Sequence, residues 1–158
     1  MNSRQRVLSA FDRNGYDRIP VKHEGTPEVN RMLMQHFGLS NLEQLLRVVG
    51  DDFRYVEPVY CGPELRTFPD GSVEGYFGER YKYAEFDGGK YLEACYLPFA
   101  GIDRLEDLDR SHVPSADGFD YSTVRRQAES LREQGFAVCM GTAGDMDFIN
   151  GIARARGM

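Results

Sequence analysis

Apolar residues recur every three or four positions in six stretches of the chain, which is the spacing of an amphipathic helix. The predicted helices cover residues 3–14, 27–37, 41–49, 103–108, 122–134 and a last segment from residue 146 onward. Two helix starts carry strong capping signals, namely Thr26 followed by Pro27, and Ser40 with Glu43 three positions later. Ser3 is the predicted cap of the first helix. Glycines end most of these segments, as is typical of helix carboxyl ends.

Compact apolar runs between the helices predict three strands, at Arg18–Lys22, 52–60 and 136–140. Strand and helix therefore alternate three times along the chain. This order is typical of a parallel α/β sheet.

A different pattern occupies residues 61–100, where polar and aromatic residues alternate and Gly-containing turns interrupt them. The turns are predicted at Pro69–Gly71 and Asp87–Gly89. We therefore expect an antiparallel β-meander of three or four strands, inserted between the second and third strand–helix units. Its aromatic residues are interpreted as cross-strand pairs on a half-exposed sheet.

Composition and charge narrow the classes of partner. The chain has 158 residues, a net charge of −6 and scattered basic residues, which argues against nucleic acid and anionic membrane surfaces as partners. No apolar run reaches membrane-spanning length and the first residues are too polar for a secretory signal, so we expect a cytoplasmic location. The dispersed cysteines Cys61, Cys95 and Cys139 predict reduced residues in or near the core.

Several segments together resemble the uroporphyrinogen decarboxylase (URO-D) superfamily, especially its branch of decarboxylase-like proteins and corrinoid-linked methyltransferases. The segments are RQRVLSAFDRNGYDRIPV (4–21), GTPEV (25–29), GDDFRYVEP (50–58), PDG (69–71) and AESLREQGFAVCMG (128–141). The resemblance implies a (β/α)8 TIM-type barrel, a fold that typically needs about 250 residues. It predicts that residues 1–158 form a single partial domain, the N-terminal part of such a barrel. Residues 1–60 would supply two βα units, 61–100 the inserted meander and 101–158 a third unit.

Such a partial barrel would leave an open sheet edge and an uncovered apolar face. We therefore expect marginal stability or self-association of the isolated chain. The expected partners are a small-molecule substrate and either a second copy in a homodimer or the remainder of the barrel.

The active sites of TIM barrels lie at the carboxyl ends of the strands. This rule selects His23 and Glu24 after the first strand, and Glu57 and Tyr60 near the end of the second. It also selects Gly141, Thr142 and Asp145 after the third strand. His23 and Glu24 are interpreted either as an acid–base pair facing the substrate or as a histidine that is hydrogen-bonded at a strand end. Asp51 and Asp52 are interpreted as caps of a turn.

The resemblance implies either of two chemistries for intact relatives. True uroporphyrinogen decarboxylases are lyases that use no cofactor and hold their substrate with an arginine-rich segment, which HEGTPEVNR (23–31) replaces here. Glu57 lies nearest the position of their aspartate. The other branch is formed by zinc-dependent corrinoid:thiol methyltransferases, whose zinc ligands come from the later part of the barrel.

The loss of the arginine segment favours the methyltransferase-like branch. We expect no cofactor in this chain, although zinc and a corrinoid partner belong to that chemistry. We also expect the isolated chain to be inactive. The alternative is a small non-catalytic α+β binding or interaction module that uses the aromatic meander.

Overall fold

A computed structural model of the chain describes residues 1–107, 115–141 and 156–157. These residues form two compact units. The first unit comprises residues 1–58 and 121–141, and the second comprises 59–107, 115–120 and 156–157. The fold is mixed α/β with small sheets, and the described strands do not close into a barrel. No helix in the described part of the chain combines the length and apolar character that crossing a bilayer requires.

Four α-helices lie in the first unit: α1 Ser3–Phe11, α2 Pro27–Phe37, α3 Leu42–Val48 and α4 Val124–Glu133. They confirm four of the predicted helices. Thr26 caps α2 as predicted, and Gly38 ends it with a φ of 65°. Two predicted caps are wrong by one residue, because Asn2 and Asn41 accept the hydrogen bonds at the starts of α1 and α3. An asparagine oxygen in this position satisfies a free helix amide as well as serine does.

The described residues contain seven strands: β1 Phe53–Val56, β2 Val59–Tyr60, β3 Val73–Glu74, β4 Arg80–Phe86, β5 Gly89–Tyr96, β6 Phe119–Asp120 and β7 Ala137–Met140. Strands β1 and β7 pair in parallel, with Phe53 opposite Ala137 and Val56 opposite Met140. This pairing confirms that the second and third predicted strands are parallel neighbours. The buried apolar residues of the first unit are Val7, Leu45, Val56, Phe136 and Ala137.

The predicted first strand, Arg18–Lys22, is not a strand in the structure. Pro20 has no N–H group to donate to a ladder. The N–H of Val21 donates to the carboxylate of Asp52 at 2.9 Å instead of to a backbone carbonyl. One backbone hydrogen bond remains, from the N–H of Asp52 to the carbonyl of Val21 at 2.9 Å.

The prediction of one strand over residues 52–60 is also wrong, because the strand ends at Val56 and a new one begins at Val59. Pro58 lies between them and lacks the N–H that would continue the ladder. Strand β2 belongs to the second unit, where it pairs antiparallel with β6.

The predicted meander is confirmed as a three-stranded antiparallel sheet in the order β3–β4–β5. Asp87 and Gly88 connect β4 to β5, and Gly88 has a φ of 94°. Gly71 in the preceding turn has a φ of 79°. Both conformations strain residues that carry a Cβ, so these glycines explain why the turns could be predicted.

The remaining predictions have mixed outcomes. A 3-10 turn at Leu105–Asp107 stands where a helix over 103–108 was predicted. The helix predicted from residue 146 onward lies outside the described residues. The prediction of cysteines in or near the core is wrong for Cys61 and Cys95, which are exposed, whereas Cys139 is half-buried.

Candidate functional site

The first unit is organised around the side chain of Asp52, which is completely buried. Its carboxylate accepts hydrogen bonds from Arg6 at 2.5 Å and from Arg18 at 2.7 and 2.9 Å. It also accepts the N–H of Val21 at 2.9 Å. Helix α1, the segment around Val21 and the residue before β1 therefore meet at one carboxylate.

The ionisation of Asp52 follows from these partners. Burial alone would raise the pKa of this carboxyl, but the hydrogen bonds from the Val21 amide, Arg18 and Arg6 outweigh it and hold the pKa below its usual range. Asp17 extends the network, because its carboxylate accepts two hydrogen bonds from Arg6 at 2.6 and 2.9 Å. The Arg6 guanidinium holds the pKa of Asp17 well below its usual range. The network thus stays charged at neutral pH.

Asp51 forms a second set of contacts, which hold the predicted site residue His23. Its carboxylate accepts the N–H of His23 at 2.8 Å and the N–H of Phe53 at 2.7 Å. The backbone of His23 is therefore fixed next to the residues that lead into β1. The prediction that Asp51 and Asp52 cap a turn is accordingly incomplete, since both also reach across to residues 21–23.

The two side chains predicted as an acid–base pair have separate partners. The Nε2 atom of His23 lies 2.7 Å from Oδ1 of Asn30 on α2. The carboxylate of Glu24 forms an ion pair with Lys22 at 2.9 Å. Gly25 makes the His23–Asn30 contact possible, because a Cβ at this position would lie 2.5 Å from the Asn30 oxygen. The structure therefore favours the interpretation of His23 as a histidine held by a neighbouring side chain.

Lys22 and Tyr55 each have a raised pKa in this region. The hydrogen bond to Glu24 raises the pKa of Lys22, and the nearby charge of Asp51 adds to the effect. Burial raises the pKa of the Tyr55 hydroxyl, while the charge of Lys22 opposes the shift. Both groups are therefore protonated at neutral pH. We call Lys22, Glu24, Asp51, Tyr55 and Cys139 the Lys22–Tyr55 cluster, because Cys139 is the register partner of Tyr55 in the parallel pair.

The two faces of the parallel pair carry different residues. Arg54 extends from one face to Glu43 of α3, at 2.8 Å, and its guanidinium lies 4.0 Å from the centre of the Phe136 ring. Tyr55 and Cys139 alternate with Arg54 and therefore lie on the opposite face. A cavity of about 380 Å³ borders that face, lined by Phe53, Cys139 and residues of α1. Arg4 and Arg132 also line it, so a small molecule in this cavity would meet apolar side chains, two guanidinium groups and the thiol of Cys139.

The remaining predicted site residues are not members of this cluster. Glu57 lies near the end of the second predicted strand, as expected, where it follows β1 directly and is exposed. The N–H of Gly141 donates to the carbonyl of Val56 at 2.8 Å, which places Gly141 beside the same strand end. Tyr60 lies in the second unit, where its hydroxyl donates to the carbonyl of Pro63 at 2.9 Å. Thr142 and Asp145 lie outside the described residues.

The described residues do not form a zinc site. Within residues 1–107, 115–141 and 156–157, no three His, Cys, Asp or Glu side chains are placed to hold a metal ion together. His23 is bonded to Asn30, and Cys139 is a neighbour of Tyr55 rather than of a histidine. The cluster itself carries an ammonium, a phenol, a thiol and two carboxylate groups.

Sequence reasoning missed three members of the cluster, namely Lys22, Tyr55 and Cys139. One signal could have found Tyr55: residues two apart in a strand share a face, so Phe53 and Tyr55 share one face of β1. No known protein-family model, curated protein or solved structure matches this chain. The functional interpretation therefore depends on the residues and contacts described above.

Proposed function

We propose that this chain is the N-terminal part of a URO-D-like (β/α)8 barrel enzyme that acts on a small molecule. The observation that carries the proposal is the parallel pairing of β1 with β7, two strands that the resemblance assigns to consecutive barrel units. We assign the enzyme to the methyltransferase-like branch, with a decarboxylase of the lyase type as the competing activity.

The arrangement of the two faces supports this proposal. In a TIM barrel, the side chains of each strand point alternately to the surrounding helices and to the barrel interior. Arg54 reaches α3 on one face of the pair, as a residue directed to the helices would. Tyr55 and Cys139 would then face the interior, next to the strand ends where such enzymes bind their substrates.

The arginines of the first unit support the methyltransferase-like branch over porphyrinogen decarboxylation. Binding of substrate carboxylates by arginine requires a guanidinium whose N–H groups are available. Arg18 precedes the segment 23–31, and it donates to Asp52 and to the carbonyls of Ile19 and Gly50. Arg31 is exposed on α2 and is the only arginine within residues 23–31. The segment therefore offers one guanidinium where the decarboxylases would have several.

A methyl transfer assay on the natural gene product tests the proposal. The assay measures transfer from methylcobalamin to a small thiol in the presence of zinc, with uroporphyrinogen decarboxylation measured in parallel. We expect methyl transfer and no decarboxylation. Decarboxylation alone would move the protein to the lyase branch, and the absence of both activities would contradict the proposal.

Substitutions at the predicted site residues locate the activity. His23→Ala and Glu57→Ala are each expected to lower kcat about 100-fold or more if the residue transfers a proton in the reaction. His36→Ala and Glu85→Ala are matched controls, because both residues are exposed and lie outside the predicted site. Unchanged turnover in both test variants would remove His23 and Glu57 from the catalytic machinery.

A further inference from the structure

The second unit contains its own cleft, with a volume of about 630 Å³. Its lining combines aromatic rings, glycines and carboxylates, including Tyr60, Tyr76, Glu64, Glu74 and Asp117. All of its lining residues belong to the second unit, and none of them is a member of the Lys22–Tyr55 cluster. It therefore needs its own explanation, whether or not the first unit belongs to a barrel enzyme.

An aromatic cluster forms one wall of the cleft. The ring centres of Tyr60 and Tyr76 are 4.7 Å apart, and each ring contacts Phe119 edge-on at 5.3 and 5.5 Å. Tyr76 remains 47% exposed, so part of its ring is accessible to a ligand. The hydrogen bond from the Tyr60 hydroxyl to Pro63 fixes the first ring in place. The wall is therefore formed before a ligand arrives.

Two glycines of the lining leave room for neighbouring side chains. A Cβ added to Gly62 would lie 2.7 Å from the Tyr60 hydroxyl oxygen. A Cβ added to Gly75 would lie 2.2 Å from Oε1 of Glu79, a carboxylate that also accepts the hydroxyl of Tyr81 at 2.9 Å. Both positions therefore exclude larger residues, because the space that a Cβ would need is occupied by Tyr60 and Glu79.

The charges of the lining are unbalanced in favour of carboxylates. Arg66 contributes the single guanidinium, and it donates to both carboxylate oxygens of Glu74 at 2.5 to 3.1 Å. The hydrogen bond from Arg66 lowers the pKa of Glu74 to about 2, so this pair is ionised and neutral overall. Glu64 and Asp117 have no cationic partner among the described residues, and both are exposed. They leave two negative charges beside the aromatic wall.

We propose that this cleft binds an organic cation, specifically a protonated amine attached to a flat or apolar body. The flat or apolar body would pack on the rings of Tyr60 and Tyr76. The faces of these rings also attract the positive charge of the nearby ammonium group. The ammonium group would pair with Glu64 and Asp117. A carboxylate or phosphate ligand does not fit, because the one guanidinium of the cleft is already bonded to Glu74.

Binding of phenethylammonium to the complete chain tests this proposal. The matched probes are 2-phenylethanol, which lacks the charge, and 3-phenylpropanoate, which carries the opposite charge. Isothermal titration calorimetry gives the affinities, and NMR spectra of the chain locate the binding residues. For a ligand of this size we expect a Kd of roughly 1 mM, with the neutral probe at least about fivefold weaker and the anion weaker still.

Variants with preserved shape identify the groups responsible. Glu64→Gln and Asp117→Asn are each expected to weaken phenethylammonium binding about two- to fivefold, since both charges are exposed. Tyr76→Ala removes the accessible ring and should weaken all three probes. Glu85→Gln is the control, because Glu85 is an exposed carboxylate on β4 that does not line the cleft.

The outcomes separate the proposal from its rivals. Chemical-shift changes at Tyr60 and Tyr76, with preference for the amine, support it. Equal affinity for amine and alcohol would show an apolar cleft without charge selection and would overturn it. An equal loss in Glu85→Gln would show general attraction by a negative protein, and the absence of any binding at 20-fold above the expected Kd would likewise overturn it.

Discussion

The first unit buries charge at its centre, whereas the second unit keeps most of its charges and many of its aromatic rings at the surface. Asp52 and Arg6 are 0% and 8% exposed, and they are 46 positions apart in the sequence. In the second unit, Arg66 binds Glu74 eight positions away and Ser72 binds Asp70 two positions away. The first unit thus depends on a few long-range side-chain anchors, whereas the second combines local turns and hairpins with one long-range strand pairing, that of β2 with β6. A single substitution should therefore do more damage in the first.

The largest expected difference comes from removing one carboxylate in each unit. Asp52→Ala removes the buried partner of Arg6, which keeps only Asp17 as a carboxylate partner, and leaves the N–H of Val21 without its acceptor. We expect it to lower the free energy of unfolding by about 3–5 kcal/mol. Asp70→Ala removes a half-exposed ion pair to Lys82 and the acceptor of two hydrogen bonds from the buried Ser72, with an expected loss of about 1–2 kcal/mol. Hydrogen exchange of strand amides in each unit measures both effects, and equal losses would contradict the comparison.

Truncation of one leucine in each unit extends the comparison to apolar packing. Leu45 on α3 is 0% exposed, so Leu45→Ala is expected to destabilise the first unit by about 2–5 kcal/mol. Leu92 on β5 is 46% exposed, and Leu92→Ala should change stability by about 0.5 kcal/mol or less. Urea unfolding followed separately in the two units distinguishes these values. A larger loss at Leu92 would show that the second unit buries more than its exposure indicates.

Acid should destabilise the first unit through Asp52. Its pKa in the folded protein is held below the ordinary value of 3.8, so the unfolded chain binds more protons in this range. The stabilisation from Asp52 is therefore complete above pH 4 and is lost as the pH falls through the folded-state value. We expect the unfolding free energy of the Asp52→Asn variant to depend less steeply on pH below 4. Parallel pH profiles for the variant and the natural chain would refute the assignment.

A smaller effect than those at Asp52 and Leu45 is expected at the β4–β5 turn. Gly88 has a φ of 94°, so Gly88→Ala is expected to destabilise this hairpin by about 1–2 kcal/mol. Gly101 is the matched control, because it has no positive φ and no atom within 4 Å of an added Cβ. Gly101→Ala should be neutral or slightly stabilising. The two variants are compared by hydrogen exchange of the β4 and β5 amides.

The parts of the fold that could be predicted from the sequence are those determined by local hydrogen bonds. Thr26, Pro27 and Gly38 predicted the bounds of α2, and Asp87 with Gly88 predicted the hairpin turn. The segment 18–22 was misread because its apolar residues suggested a ladder that Pro20 and the Asp52 carboxylate replace. An apolar pattern does not reveal which distant side chain takes a backbone donor.

The candidate site was harder to predict for the same reason. His23 and Glu24 were identified by their position, but their partners Asn30 and Lys22 were not. Asp52 was interpreted as a turn cap because its main partners, Arg6 and Arg18, lie 46 and 34 positions away. Cys139 joined the site only once the register with Tyr55 was known.

The central claim is that two buried carboxylates anchor residues 21–23, and with them the predicted site, to the start of β1. Hydrogen exchange at the amides of Val21 and His23 tests it most directly, because these amides donate to Asp52 and Asp51 at 2.9 and 2.8 Å. We predict that both amides are protected in the natural chain and that Asp52→Ala abolishes the protection of Val21. Exchange of both amides at the rate of an unstructured peptide in the natural chain would contradict the account.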